Sequence, residues 1–198
     1  MVNKFLFTCV SLFLGAFAAY GQAVAVKTNP LYTGVTRMTP NLGLEVGLGG
    51  KTTLDLSVGY NPWNRRPNVD DETNVKAVHL LVSPEFRLWT CQRFNGHFFG
   101  LHGIFAHFNI SELDVPLLFG KDSKKYRHEG YAYGAGISYG YQFLLGKRWN
   151  LELSAGAGYA RLDYTKYECA VCGDRIQDET RDYFGPTRAA VALIFIFK

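Results

Sequence analysis

Three groups of side chains in the sequence are of types that can do chemistry. Cys169 and Cys172 form a C-x-x-C pair, a spacing that can bind metal, exchange disulfides or close a small loop. Serine and histidine recur at close spacing, as in Ser83 and His79, and a hydrolase needs such a nucleophile and base. Single charged residues also occur inside apolar segments, where buried charges have to be paired. The chemistry of all three groups depends on the elements that position them.

The clearest structural pattern lies in residues 131–143, YAYGAGISYGYQF. Alternate positions are mostly aromatic or large and apolar, and the positions between them are mostly glycine, alanine and serine. Successive side chains of a β-strand point to opposite faces, so the pattern predicts a strand with one aromatic face and one small face. An aromatic face suits lipid and its interfaces, and a small face suits a narrow interior. This segment therefore favours a strand of a lipid-spanning barrel.

Seven further segments show strand patterns, at about 22–29, 41–49, 52–60, 76–89, 97–109, 149–163 and 186–198. The connections between them alternate between long and short, as in outer-membrane barrels. We expect an all-β fold, an eight-stranded antiparallel up-and-down transmembrane β-barrel of the outer-membrane type. The alternative is a soluble lipocalin-like barrel, but that fold keeps its apolar face inside.

Two details of this barrel follow from local residues. Pro84 lies inside the fourth strand, and proline removes a ladder donor, so we expect a bulge there. Residues 30–40 and the segment from Tyr164 to Gly185 are expected to be loops, the second being the longest of the chain.

The N-terminus predicts an exported protein. Lys4 precedes the apolar segment FLFTCVSLFLGAFA, and small residues precede a cleavage site after Gly21. Residues 1–21 are therefore expected to be a signal peptide, with an uncleaved anchor as the alternative, and residues 22–198 a single barrel domain. Removing Lys4 reduces the basic residues from 21 to 20 against 17 acidic ones, a balance too even to indicate a nucleic-acid partner.

Charged residues on the inward faces are expected to form a polar network in the lumen. Glu45 and Asp55 lie at equal distance from the turn that joins their strands. Two facing carboxylates repel unless cations join them. Lys27 and Arg87 are the neighbouring cations, and Glu85 shares the face of Arg87. We expect a plug of ion pairs, because eight strands enclose only enough room for side chains; a proton- or ligand-binding site is the alternative.

The cysteines have a weaker chemical interpretation. A zinc site needs about four ligands, and no second C-x-x-C or nearby histidine accompanies Cys169 and Cys172. We therefore expect a local loop disulfide rather than a metal site. Cys91 is expected at the opposite end of the barrel, as a free thiol.

The histidines raise the question of a hydrolase. Ser83 and His79 share one face of the fourth strand, and His102 and Ser138 are expected to face each other across neighbouring strands. Neither pair has an orienting acid that the sequence can place. We expect no catalytic residue and no cofactor.

Several blocks of the chain together resemble a Bacteroidota outer-membrane family catalogued as domain of unknown function 3575. They are AVKTNPLY, NLGLEVGLG, LDLSVGYNPW, PEFRLW, FNGHFFGLH, YGAGISYGYQFLLGKRWNLE, GYARLDY, CAVCG and YFGPT. The resemblance covers nearly all of the mature chain. It implies a β-barrel in the outer membrane and a role accessory to surface fimbriae, whose genes look like neighbours of the family. It brings no catalytic residues, and it makes a structural disulfide in the CAVC segment more credible.

The sequence therefore predicts a non-enzymatic barrel in the cell outer membrane that presents extracellular loops. Its expected partners are the lipid bilayer and a surface fimbrial or adhesion protein. The alternatives are a small lipid-modifying enzyme of the hydrolase or acyltransferase type and a minor channel.

Overall fold

In a computed structural model of the chain, eight antiparallel strands form one sheet that closes on itself. The structure describes residues 23–35, 39–62, 76–111, 126–168 and 174–197, so the predicted signal peptide lies outside this part. Each strand pairs with its neighbours in chain order, and the last pairs with the first. This confirms the predicted all-β, eight-stranded antiparallel architecture. The elements are β1 (Val24–Thr28), α1 (Pro30–Val35), β2 (Asn41–Gly47), β3 (Thr52–Asn61), β4 (Lys76–Trp89), β5 (Gly96–Ser111), β6 (Arg127–Leu144), β7 (Trp149–Tyr167) and β8 (Arg175–Phe197).

Side chains alternate between a polar interior and an apolar exterior. Ile137 is 70% exposed and Leu101 is 62% exposed, whereas Glu45 and Arg87 are completely buried. Soluble proteins have the reverse distribution, and a large exposed apolar surface needs a partner. We call this exterior the apolar belt; it includes Leu42, Leu54, Leu56, Tyr60, Phe86, Leu88, Phe99, Leu101, Phe105, Tyr131, Tyr133, Ile137, Tyr139, Phe143, Trp149, Leu153, Tyr159, Phe184, Leu193 and Phe197.

The strands lengthen around the ring, from five residues in β1 to 23 residues in β8. β1 pairs with β8 only at Leu193–Phe197, but β8 continues to Arg175 and stays paired with β7. The wall of the barrel is therefore tall at β6–β8 and short at β1–β2.

The predicted loop at 30–40 is wrong in part, because it contains α1. Asn29 caps this helix: its Oδ1 accepts a hydrogen bond of 3.3 Å from the Tyr32 amide. Pro30 occupies the first helical position. A backbone N–H there has no partner within the helix, so its absence in proline costs no hydrogen bond. The same Asn29 Oδ1 accepts a bond of 3.2 Å from the Val191 amide of β8. Asn29 therefore joins the helix to the edge of the sheet. No helix among the described residues is long and apolar enough to cross a membrane.

The predicted loop from Tyr164 to Gly185 is also wrong, because β7 runs to Tyr167 and β8 begins at Arg175. The polar residues that favour a loop pair across the two strands instead. For example, the Tyr164 hydroxyl donates a hydrogen bond of 2.7 Å to Glu179. Cross-strand polar pairs of this kind stabilise an antiparallel ladder.

Pro84 does not produce the predicted bulge. The register between β4 and β5 is the same before and after the proline. The Ser83 hydroxyl donates a hydrogen bond of 2.9 Å to the carbonyl of Gly103, which lies opposite Pro84. This hydroxyl supplies a donor next to the position where proline has none.

Candidate functional site in the barrel lumen

Seven charged side chains meet inside the barrel. Arg188 is 11% exposed, and the others are at most 5% exposed. The group contains the five predicted lumen residues and two more: Lys27, Glu45, Asp55, Glu85, Arg87, Glu152 and Arg188. We call it the ion cluster. It joins β1, β2, β3, β4, β7 and β8, so it ties together strands on opposite sides of the lumen.

Arg87 lies at the centre of the ion cluster. Its Nε donates to Glu85 at 2.6 Å, and its Nη1 donates to Glu45 at 3.0 Å. Nη1 and Nη2 donate to the two Glu152 oxygens at 2.8 and 2.9 Å. This bidentate contact uses the planar fork of the guanidinium, which a lysine could not reproduce. The guanidinium also lies 4.2 Å from the centroid of the Phe98 ring. One arginine thus satisfies three buried carboxylates.

Lys27 and Arg188 are the other two cations of the ion cluster. Lys27 Nζ lies 2.9 Å from Glu45 and 3.0 Å from Asp55. Arg188 Nη2 lies 3.1 Å from Glu85 and 3.4 Å from Asp55. Glu45 and Asp55 are direct partners across β2 and β3, so they would repel without these cations. Buried charges persist only when they are paired in this way.

The sequence-based prediction missed two members of the ion cluster, Glu152 and Arg188. Both residues contact the ion cluster across the lumen and not from a neighbouring strand, so the pairing of adjacent strands did not predict them. The alternation of inward and outward residues did indicate Glu152, because it shares the inward face of β7 with Asn150 and Ser154, and all three are buried.

The lumen is closed at its short-turn end by the connection between β4 and β5. Phe94 in this turn is 4% exposed and packs with Ile194, and its ring lies 6.1 Å from that of Trp89. Its carbonyl accepts a hydrogen bond of 2.8 Å from Asn150 Nδ2. Phe94 has φ 63°, which is uncommon for a bulky residue and points to a backbone held by its surroundings.

Of the four cysteines in the sequence, only Cys91 lies among the described residues. Cys91 belongs to the β4–β5 turn and is an exposed free cysteine. The predicted disulfide between Cys169 and Cys172 lies outside the described residues. Within the described ranges, no group of three or more histidine, cysteine or carboxylate side chains is placed to bind a metal ion.

His102 has one feature of a catalytic base. Its Nε2 shares a hydrogen bond of 2.9 Å with the Thr187 hydroxyl. Its Nδ1 is buried and has no hydrogen-bond partner among the described residues, whereas a hydrolytic triad needs an acid at that nitrogen. The Ser138 hydroxyl donates to Glu85. The arrangement therefore lacks the group that would orient the ring.

The second serine–histidine combination is also directed elsewhere. His79 Nε2 shares a hydrogen bond of 2.8 Å with the Tyr32 hydroxyl of α1. The Ser83 hydroxyl donates to a backbone carbonyl. These contacts hold α1 and β4 in place.

A cavity of about 150 Å³ adjoins the ion cluster. Lys27, Arg188 and Glu152 line it, together with Tyr32 of α1. Much of the remaining lining is small, with glycine, alanine and serine from β2, β3, β4 and β8. The cavity therefore has charged and hydrogen-bonding groups in walls that leave room for a guest.

A match to a family model over nearly the whole chain identifies the family of this barrel. A family model described as "Protein of unknown function (DUF3575)" matches residues 6–197. The chain belongs to the DUF3575 family. No curated protein matches the chain, and no solved structure matches it. The predicted resemblance to this family is confirmed, and all described strands of the DUF3575 barrel lie within the matched residues.

The tall side of the DUF3575 barrel carries a second set of titratable residues. The hydrogen bond from Tyr164 lowers the pKa of Glu179, and burial raises the pKa of Tyr164 to about 12. The His128 ring packs edge-on against Tyr164 at 5.3 Å. Burial, and then the charge of Lys166, lower the pKa of His128 to about 4. His128 is therefore neutral at neutral pH.

Proposed function

We propose that this protein is a non-enzymatic outer-membrane β-barrel that anchors in the bilayer and presents its tall side to a partner outside the cell. The observation that carries the proposal is the apolar belt around a buried ion cluster. In a closed barrel the backbone groups of paired strands satisfy one another, as hydrocarbon requires. The predicted signal peptide supports export.

The ends of the apolar belt support a membrane position. In β6 the belt runs from Phe143 to Tyr131, and a spanning strand needs about 9–11 residues at a tilt of roughly 45°. Tyrosines at the upper end donate to carboxylates just beyond it, at 2.8 Å from Tyr133 to Asp163. Aromatic residues with one polar tip are typical of a membrane–water interface. The residues beyond this end lie outside the spanning segments.

The filled lumen supports an anchor in preference to a channel. The ion cluster occupies the interior with side chains that are mutually bonded, and Phe94 closes one end. An eight-stranded barrel has no spare width for a water column beside such a cluster.

The tall side is the surface that we assign to the partner. β7 and β8 continue beyond the belt as a paired hairpin that carries both acidic and basic residues. The family resemblance implies a protein of a surface fibre or adhesion system as the partner. Rigid strands hold binding groups more firmly than a loop would.

Labelling on intact cells tests the anchor and its orientation. Cysteine replaces Thr180 on the hairpin or Lys147 in a short turn, in a variant with Cys91, Cys169 and Cys172 changed to serine. We expect a membrane-impermeant maleimide to label Thr180→Cys and to spare Lys147→Cys until the cells are lysed. A purified barrel that stays monodisperse in buffer without detergent would contradict the anchor, and the reverse labelling would contradict the orientation.

Capture from outer membranes tests the partner. Replacing residues 164–179 by a two-residue Asn-Gly turn removes the hairpin above the Asp163–Thr180 pair and allows that pair to keep its register. We expect a fibre or adhesion protein to be captured by the full chain and lost on deletion. Equal capture by both forms would assign the partner to another surface.

A further inference from the structure

We propose that the cavity beside the ion cluster binds the polar end of a small neutral amphiphile, which enters sideways between β8 and β2. Lateral entry depends on the proposed bilayer anchor, but the binding site itself does not. The argument depends on the seam in the wall, on a buried donor without an acceptor and on the charge of the ion cluster.

The seam is the place where the barrel wall lacks paired strands. β1 ends at Thr28, and among the described residues no strand pairs with this side of β8 above Leu193. The helix α1 packs against β8 there. The Asn29 side chain joins this segment to β8: it accepts from the Val191 amide and donates to the Ala189 carbonyl, each at 3.2 Å. On its other side the segment is bonded to Asn41 of β2 and to His79 of β4. The contact with β8 therefore depends on side-chain bonds, and it opens at lower cost than a continuous backbone ladder.

The seam connects the cavity to the outside of the barrel. Leu42 lines the cavity, although its side chain belongs to the apolar belt and is 62% exposed. Ala189 and Ala190 of β8 form the other side. A chain that leaves the cavity here would meet the belt and, in a bilayer, the lipid around it.

Arg188 supplies the donor that a ligand would satisfy. Its Nη2 contacts Asp55 and Glu85, but its Nε is buried with no hydrogen-bond partner in the part of the chain that the structure describes. A buried donor without an acceptor is costly, so an acceptor in the cavity is favoured. The hydroxyl-bearing residues Ser57 and Thr187 also line the space.

The charge of the ion cluster selects a neutral acceptor. The cluster has three cations and four carboxylates, so an anionic guest would add to an existing excess of negative charge. A cationic guest would lie against Lys27 and Arg188, which line the cavity. A ketone, ester or amide carbonyl is uncharged, so it neither adds negative charge nor is repelled by these two cations. A cavity of about 150 Å³ is large enough for a group of about the size of benzene, so it would hold the carbonyl and the first carbons of a chain.

Nuclear magnetic resonance of the arginine Nε–H groups tests the site directly. The full barrel is studied in micelles and in nanodiscs, and the Arg188 signal is assigned by its loss in Arg188→Lys. The probes are 2-octanone, octanoate and octylammonium, which share chain length and differ in charge. We expect a saturable shift of the Arg188 signal with 2-octanone and at least tenfold weaker binding of the two ions. No saturable shift, as in a cavity that holds water only, or equal binding of all three probes would overturn the proposal.

Matched substitutions locate the site. Ala190→Leu adds volume on the inward face of β8, and Ala190→Val adds less volume if the leucine variant does not fold. Ala135→Leu makes the same change on the outward face of β6. We expect binding to be lost with the Ala190 variants and kept with Ala135→Leu; retention in a folded Ala190 variant would overturn the assignment.

The route and the anchor can fail separately. Asn29→Ala removes both side-chain bonds between this segment and β8, so we expect faster ligand exchange in nanodiscs, and an unchanged rate would overturn lateral entry. Binding in micelles by a barrel that does not insert into nanodiscs would contradict the bilayer anchor and leave the site standing. Insertion without binding would overturn the site alone.

Discussion

The ion cluster should dominate the stability of the barrel, and replacement of Arg87 by methionine tests this. Arg87 donates to Glu45, Glu85 and Glu152 at 2.6–3.0 Å, and all four side chains are at most 1% exposed. Removing one partner of a buried ion pair costs about 3–5 kcal/mol, because the other charge stays buried without compensation. Since one arginine serves three carboxylates, we expect a loss of about 5 kcal/mol, a large part of the stability of an ordinary domain.

The assay is equilibrium unfolding by urea in lipid vesicles, followed by tryptophan fluorescence and by the mobility of unheated samples in gels. Arg161→Met is the matched control: its partner Asp163 lies at 3.5 Å, and both side chains are more than two-fifths exposed, so the loss of stability should be much smaller. Adding Glu152→Gln to Arg87→Met should restore part of the lost stability, since it removes one uncompensated charge. If Arg87→Met lies within about 1 kcal/mol of the natural chain, the cluster does not stabilise the fold as argued.

Three further perturbations have defined outcomes. Gly136→Ala should impair refolding, measured by the folded fraction in gels, because the added carbon would lie 2.6 Å from the Ala157 carbonyl; Gly146→Ala, with open space around it, should fold normally. Phe94→Ala should lower the stability by about 3–5 kcal/mol. It should leave planar-bilayer conductance at zero, because the ion cluster still fills the lumen. Steady currents would show that the Phe94 ring, and not the ion cluster, blocks the lumen. The pKa of His128 is lowered to about 4, whereas an unfolded histidine titrates near 6.5. The unfolded chain therefore takes up the proton first, and stability should fall as pH drops from about 6.5 towards 4. His128→Gln should flatten that part of the curve of stability against pH, and an unchanged curve would show that another group titrates.

The central parts of the strands could be predicted from the sequence, because a period of two residues is unambiguous when the two faces differ in chemistry. Ile137 lies among tyrosines on the outward face, and Glu45 lies between glycines on the inward one. The outer part of the β7–β8 hairpin was missed because both of its faces are polar there, so alternation gives no contrast. Contacts across the lumen, such as the one between Arg87 and Glu152, depend on the stagger of all the strands together. That stagger cannot be obtained from any one segment.

The short first strand links the ion cluster, the cavity and the seam to one local cause. Pro30 cannot donate to a ladder, so β1 ends at Thr28 and the chain turns into α1. Lys27, Glu45 and Asp55 of the ion cluster lie where the ring of eight strands is complete: Lys27 pairs across to Gly43, and Glu45 pairs with Asp55. Arg188 lies beyond this part, on the stretch of β8 that faces the cavity. Buried charges are kept from lipid by a continuous wall, because an unpaired backbone group or charge in hydrocarbon is costly. Beyond Thr28 the interior becomes the cavity with its small side chains, and the wall relies on a six-residue helix. The residue that ends β1 therefore sets the boundary between the part of the lumen that must stay closed and the part that can open.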